Sequence, residues 1–328
     1  MHATFIFCQS EMLIISLVFD LRLAEFEKQL SERLVSSVDF ISAIAEDLVT
    51  AGGKRLRPKL AFLTADLLSV KDTDALNVAV AVELLHSASL LHDDLIDDSE
   101  TRRGREAAFK RYGNIVSVMS GDFMLAKVLG VLAETNNPAF TTLMSDSASQ
   151  ICEGEVLQFQ AASLETHSLE TYYTIIEGKT AALFAAAIEG VAILAGVETK
   201  KRQALSDFAW SYGRAFQMRD DYLDLLGDEE TLGKPIGGDL KEGKATFAVL
   251  KLFDFSSEAR DIVMRHAAND DDINRMLELI KEYKTDDLAR AQISLEVEKA
   301  ISALDIFPDS IAKSQLQKLA HDELERVK

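Results

Sequence analysis

The 328-residue chain carries 54 acidic against 35 basic side chains, a formal net charge of −19. That surplus excludes a nucleic-acid binder, which needs clustered Lys and Arg to face the phosphate backbone. Its 16 Gly and 4 Pro fall below the roughly 23 and 16 of average usage, which disfavours turn-rich all-β folds, while 48% hydrophobic residues exclude bulk disorder.

Residues 1–19 are apolar, but Glu11 interrupts the run, no Lys or Arg precedes it and no small-residue cleavage site follows. The longest uninterrupted stretch, 12–19, is far below the roughly 20 residues of a membrane span. The segment reads as an N-terminal extension or as the packing face of the first helix. No other stretch is expected to span a membrane. Two cysteines, Cys8 and Cys152, make no disulfide framework and have no zinc-ligand spacing, so a reducing cytoplasm is expected.

Apolar residues then recur at helical spacing almost throughout. The spacing predicts one helix or a pair over 21–49, a break at Ala51-Gly52-Gly53, and a helix over 58–70 with Pro58 in its first turn. Asp72, Thr73 and Asp74 are expected to cap a long apolar helix over 75–98. A polar loop follows at 99–104. Helices are predicted over 115–134, 138–163, 168–195, 200–227, 244–254, 257–267, 271–283, 286–304 and 309–327. No strand alternation is evident. Five of the 16 glycines fall between Gly227 and Gly243, so one loop concentrates the backbone freedom.

One internal echo stands out: Asp93-Asp94-Leu95-Ile96-Asp97 and Asp220-Asp221-Tyr222-Leu223-Asp224. Each places like charges at i, i+4 on one helix face, a local cost to the helix. A single such cluster is ordinarily a solvated acidic end. Two, each ending a strongly apolar helix, point to carboxylates around one cleft. Carboxylate oxygens with room for water and phosphate suit Mg²⁺.

The bases are placed selectively, at Lys54-Arg55-Leu56-Arg57, Arg102-Arg103, Gly178-Lys179-Thr180, Lys234 and Lys244. Each taken singly is a solvated surface charge; beside metal-binding carboxylates they describe sites for more than one phosphorylated ligand. Gly178-Lys179-Thr180 lacks the upstream glycine of a P-loop. His86, two turns before Asp93, is either a core histidine or a phosphate contact, and His92 has no assigned role. Gln217 is placed to orient a substrate; Phe216 reads as packing.

With these residues in hand, the chain resembles the trans-isoprenyl diphosphate synthases (polyprenyl synthetases) from about residue 20 to the end. The resemblance rests on GGKRLRP (52–58), ELLHSASLLHDDLIDDSETRRG (83–104), GDFMLAK (121–127), GEVLQF (154–159), GKTAALF (178–184) and the run from Phe216 through the glycine-rich loop to Phe247. The chain departs from the family after Arg102-Arg103-Gly104, where Arg105-Glu106-Ala107 stands for the usual Lys-Pro-Thr. The resemblance implies one all-α domain over 20–328, an antiparallel helical bundle of the isoprenoid-synthase type around a deep central cavity, paired as a homodimer.

It also implies three Mg²⁺ ions on an allylic diphosphate, with Asp93, Asp97, Asp220 and Asp224 as ligands. Lys54, Arg57, His86 and Arg103 match the isopentenyl diphosphate site. Arg102, Lys179, Thr180, Gln217, Lys234 and Lys244 match the allylic diphosphate site; catalysis would rest on Asp93, Asp97, Asp220, Lys179 and Gln217. The implied reaction is a head-to-tail trans condensation: the allylic C–O bond ionises, and the double bond of isopentenyl diphosphate attacks the cation in a cavity that excludes water. Product length would depend on Ser89, Leu85 and Val82, which share a face with Asp93 down to about 16 Å below it, and on Ala88. Short-chain members of the family often carry a bulky aromatic where Ala88 and Ser89 stand, so a geranylgeranyl or longer product is expected. A farnesyl diphosphate synthase, a terpene cyclase and a non-catalytic subunit of a heteromer are the alternatives.

Overall fold

A computed structural model describes residues 9–50, 53–102, 104–232 and 235–327. The chain divides into two compact units, one up to Pro138 and one from Ala139 onward.

In the first unit the elements are α1 (Gln9–Arg33), α2 (Asp39–Thr50), α3 (Leu56–Leu68), α4 (Asp72–Ile96), a two-residue hairpin of β1 (Thr101–Arg102) and β2 (Arg105–Glu106), α5 (Ala108–Tyr112) and α6 (Asn114–Thr135). The stretch read as one helix or a pair over 21–49 is a pair, and α1 runs unbroken through position 20. Helix α4 is the centre: α1, α3 and α6 pack on it, and its run 78–85 is wholly buried.

The expected Asp72-Thr73-Asp74 cap is not made. The helix begins at Asp72 itself, after Lys71, with no side-chain cap bond; Asp72 and Asp74 lie in its first turn, where acidic charge suits the helix dipole. The expected loop 99–104 is in part a hairpin, Thr101 pairing with Glu106, too short to leave an alternation in the sequence.

Arg55 sits in the left-handed region (φ 42°) at the start of α3, a conformation costing a non-glycine residue roughly 1–2 kcal/mol. Its guanidinium donates to Glu27 of α1 and the buried Glu83 of α4, both at 2.6 Å. The Arg of this motif that the sequence left without a ligand role therefore joins three helices.

Two helices correct the expectation that no stretch has the length and apolarity to cross a membrane: α4 and α6 both do. In α4 67% of the apolar window is buried, which marks a core helix; in α6 only 39% is. Ile115, Met119 and Leu129 stand out from α6, Ile115 81% and Leu129 67% exposed.

The second unit runs α7 (Pro138–Ser163), α8 (Leu169–Ile176), a π-helical turn (Glu177–Ala181), α9 (Ala182–Leu194), α10 (Thr199–Leu226), α11 (Glu229–Leu232), α12 (Gly238–Lys241), α13 (Phe247–Leu252), α14 (Ser257–Met264), α15 (Asp270–Tyr283), α16 (Thr285–Ala303), a 3₁₀ turn (Leu304–Ile306) and α17 (Ile311–Glu325). Apart from Glu189, helix α9 is apolar, and it is buried from Ala182 to Ala192, the pattern of a core helix. Helix α10 packs on α9 and α16. Phe184 of α9 meets Tyr212 and Phe216 of α10 edge-on, with ring centroids 5.2 and 5.1 Å apart. A satellite core built on Leu252, Ile262, Met276 and Ile280 joins α13, α14 and α15.

The segment read as one helix over 168–195 is interrupted by the π turn, which carries Lys179 and Thr180. Such turns recur at functional sites because the extra residue per turn re-aims side chains.

Candidate active site

The first acidic cluster closes α4. Asp93 is half-buried and Asp97 exposed, whereas Asp94 between them is buried and accepts from Arg102 Nε at 2.7 Å. So the middle aspartate is structural: it fixes Arg102 and, through its carbonyl, accepts from the Ser99 amide at 2.9 Å. Asp93 and Asp97 keep the outward face that the i, i+4 spacing implied. In this unit Lys54 is exposed, and Arg57 and His86 are half-buried. Arg103 lies outside the described residues, as does Lys234 in the other unit. His92, left without a role, hydrogen-bonds to the Val118 carbonyl at 3.2 Å over Gly121, where a Cβ would meet the ring at 2.3 Å. It is a packing residue. Of the chain-length positions, Ala88, Leu85 and Val82 are buried and Ser89 is partly exposed, its hydroxyl donating to the His86 carbonyl at 2.9 Å.

In the second unit, two motifs far apart in sequence are one contact. The π turn crosses α7 so closely that a Cβ on Gly178 would lie 2.5 Å from the Gln150 carbonyl oxygen, and one on Gly154 would lie 3.0 Å from the Lys179 amide nitrogen. This crossing delivers Lys179 to Glu155, with which it forms an ion pair, and to Gln158 Oε1 at 3.3 Å. Thr180 donates to Gln217 Oε1 at 2.7 Å. Gln217 Nε2 donates to Asp221 at 2.8 Å, and Tyr172 OH donates to its other oxygen at 2.7 Å.

Lys179, Thr180, Gln217, Asp221, Asp239 and Lys244 thereby line one cavity of about 200 Å³, with Tyr172 and His167 also in its wall. Four of these were predicted for the allylic diphosphate. Tyr172, Asp221, Asp239 and His167 were not. Asp239 had a signal, as the acidic residue inside the glycine-rich loop, and Asp221 lay within the acidic motif. Tyr172 and His167 are set by tertiary packing alone.

Buried carboxylates dominate the electrostatics of this wall. Burial pushes the Asp221 carboxyl up to about 6, against the hydrogen bonds from Tyr172 and Gln217. Asp239 is also raised, first by desolvation and then by the charges of Asp221 and Asp224. Burial and Asp221 hold the Tyr172 phenol above its usual range. Because the folded state binds the Asp221 proton more tightly than the unfolded chain, this group loses stability as pH rises from the ordinary carboxylate value to about 6. In metal-free protein, Asp221→Asn is expected to raise the melting temperature relative to the parent, by a margin that grows across that window. Melting curves in chelator at several pH values check this.

Asp220 and Asp224 do not line the cavity. Asp224 is buried and accepts from the Asp239 amide at 3.0 Å, its carbonyl accepting from the Gly237 amide at 2.7 Å. It thus holds the glycine-rich loop. Asp220 is paired with Arg326 at 2.7 Å. Among the described residues no group of three or more His, Cys, Asp or Glu side chains could hold an ion by itself.

The sequence profile described as polyprenyl synthetase matches residues 38–282. The all-trans-nonaprenyl-diphosphate synthase (geranyl-diphosphate specific) of Rhodobacter capsulatus is 35% identical over 308 residues, spanning 93% of this chain and 94% of that protein. The octaprenyl diphosphate synthase of Haemophilus influenzae is 35% identical over 298 residues, spanning 90% and 91%. The crystal structure of a polyprenyl synthase from Caulobacter crescentus CB15, complexed with calcium and isoprenyl diphosphate, superposes with a TM-score of 0.88 at 36% identity, over 95% of this chain and 96% of that one. The chain belongs to the polyprenyl synthetase family. It has the all-α fold of these enzymes, and its activity is that of a trans-prenyltransferase of the medium- to long-chain type.

Proposed function

We propose that the enzyme condenses isopentenyl diphosphate with an allylic diphosphate in the presence of Mg²⁺, giving a geranylgeranyl or longer diphosphate. The observation that carries this reading is the cavity of the second unit. There Lys179, Gln217 and Lys244 offer donors to an anion beside carboxylates that favour a nearby cation. A diphosphate bridged by divalent ions satisfies both sets at once, and the Caulobacter crescentus neighbour was crystallised with calcium and isoprenyl diphosphate.

Asp93, Asp97 and Asp220, with Asp224 directly or through water, would hold the ions. Bound there, Mg²⁺ neutralises the leaving diphosphate and lowers the barrier to C–O ionisation. Lys179 and Lys244 bind phosphate oxygens, with Arg102 and Lys234. Gln217, fixed between Thr180 and Asp221, is already oriented. Lys54, Arg57, His86 and Arg103 would hold isopentenyl diphosphate as a separate, metal-free anion site. No side chain is assigned as general base; the released diphosphate takes the proton.

The two sites differ in their need for metal, and calorimetry tests that. Isopentenyl diphosphate is expected to bind with or without Mg²⁺, and an allylic thiodiphosphate only with it. Equal metal dependence of both would overturn the two-site reading. A terpene cyclase would lack the metal-free site.

The apolar, exposed side of α6 supports a homodimer. Ile115, Met119 and Leu129, spaced at helical intervals, form a stripe suited to a second copy of itself. Leu129→Glu is expected to give a monomer by light scattering where the parent gives a dimer.

Product length is proposed from α4. Since Ala88 is fully buried, a large residue there would disturb the core; Ser89, partly exposed, is the better place to block a growing chain. Ser89→Phe is expected to shorten the product, read by chromatography, while leaving turnover in place.

A further inference from the structure

The backbone just past α17 reaches the second acidic cluster. Arg326 is 13% exposed and forms an ion pair with Asp220 Oδ1 at 2.7 Å. Four more contacts fix it. The guanidinium lies 4.4 Å over the Phe216 ring and donates to the Phe216 carbonyl at 3.0 Å. It pairs with Glu323 at 2.7 Å, and its own carbonyl accepts from Arg219 Nε at 2.8 Å. Glu323 is buried and also accepts from Tyr212 OH at 3.4 Å, two turns before Asp220 on α10.

A surface arginine that found an acid by chance would not be held on so many sides. The charges matter as much as the contacts. A lone guanidinium beside Asp220 would oppose a cation there. Glu323 cancels it, so the Glu323–Arg326–Asp220 set carries one net negative charge. Asp220 is 43% exposed, so its carboxylate remains accessible to an ion from solvent. Outer hydrogen-bond partners of this kind orient metal-binding carboxylates, and their loss typically weakens metal binding about 10- to 100-fold.

We propose that Arg326, with its charge balanced by Glu323, is a positioning residue that orients Asp220 for the metal ion, so that the C-terminal turn completes the second acidic cluster. This rests on the reading of Asp220 as a metal ligand. The test is Mg²⁺ binding in the presence of inorganic pyrophosphate, followed by calorimetry on the full-length chain.

Arg326→Ala is expected to weaken Mg²⁺ binding at least about tenfold, with Arg326→Lys recovering part of it. Asp220→Asn should weaken binding likewise and make the Arg326 change silent. Glu323→Gln, which keeps Arg326 but unmasks its charge, should also weaken binding and serves if Arg326→Ala does not fold. Unchanged or tighter binding in the Arg326 or Glu323 variants, with Asp220→Asn still defective, overturns the positioning role alone. A silent Asp220→Asn overturns the ligand reading beneath it.

Discussion

Asp93→Asn is expected to cut turnover about a thousandfold while leaving the melting temperature within a few degrees of the parent. Asp93 and Asp97 sit four residues apart at the exit of α4, Asp93 half-buried and Asp97 exposed. Like charges at that spacing oppose the helix by a few tenths of a kcal/mol, so neutralising one relieves the fold. If Asp93 holds a metal that offsets the charge of a leaving diphosphate, its loss removes about 4 kcal/mol of transition-state stabilisation, or roughly three orders of magnitude in rate. Its neighbour gives the contrast. Asp94→Asn unpairs the half-buried Arg102, so it should lower the melting temperature as well as the rate. Steady-state kinetics and melting curves of the two variants separate the roles. A fully active Asp93→Asn enzyme would remove the first cluster from the chemistry.

Gly178→Val is expected to be the most damaging change in the second unit that touches no charged group. A Cβ there would lie 2.5 Å from a backbone carbonyl oxygen of α7. No side-chain rotation relieves a clash with backbone, so α7 and the π turn must separate. Overpacking of this kind costs about 3 kcal/mol, which corresponds to a fall of roughly 6–12 °C in melting temperature for a unit of this size. The same displacement moves Lys179 away from Gln158 and takes Thr180 from Gln217. Binding of the allylic diphosphate should therefore weaken beyond what the lost stability explains. Gly178→Ala should show a milder form of both effects. A Gly178→Val enzyme of parental stability would mean that the crossing is looser than described.

The helices were legible wherever apolar spacing and breakers coincide. The prediction of 138–163 is met by Pro138–Ser163, because Asn136-Asn137-Pro138 punctuates its start. The run over 168–195 concealed its π turn, since periodicity changes little across five residues; Gly178 was the only mark, and its reason is a neighbour in space. The short hairpin at 101–106 and the helices α5, α11 and α12 are too brief for any periodic signal.

In the site, Lys179, Thr180, Gln217 and Lys244 were readable because motif and chemistry agreed. The resemblance set Asp93, Asp220 and Arg57 apart from Asp94, Asp221 and Arg55, but the partners of the latter three, Arg102, Tyr172 and Glu83, were not readable. Adjacent identical charges are sorted only by which of them packing turns inward. Tyr172 and Arg326 reach the second cluster from elements distant in sequence, so no local pattern could announce them. The exposed apolar side of α6 was likewise hidden within an unremarkable helical period.

The most direct measurement is incorporation of radiolabelled isopentenyl diphosphate by the purified enzyme with an allylic primer and Mg²⁺, followed by chromatography of the products. Label is expected in a ladder of trans-polyprenyl diphosphates ending at geranylgeranyl or beyond, and chelation of the metal is expected to abolish it. Absence of incorporation under these conditions would contradict the assignment as a chain-elongating prenyltransferase, and a product that stops at farnesyl diphosphate would contradict the longer chain.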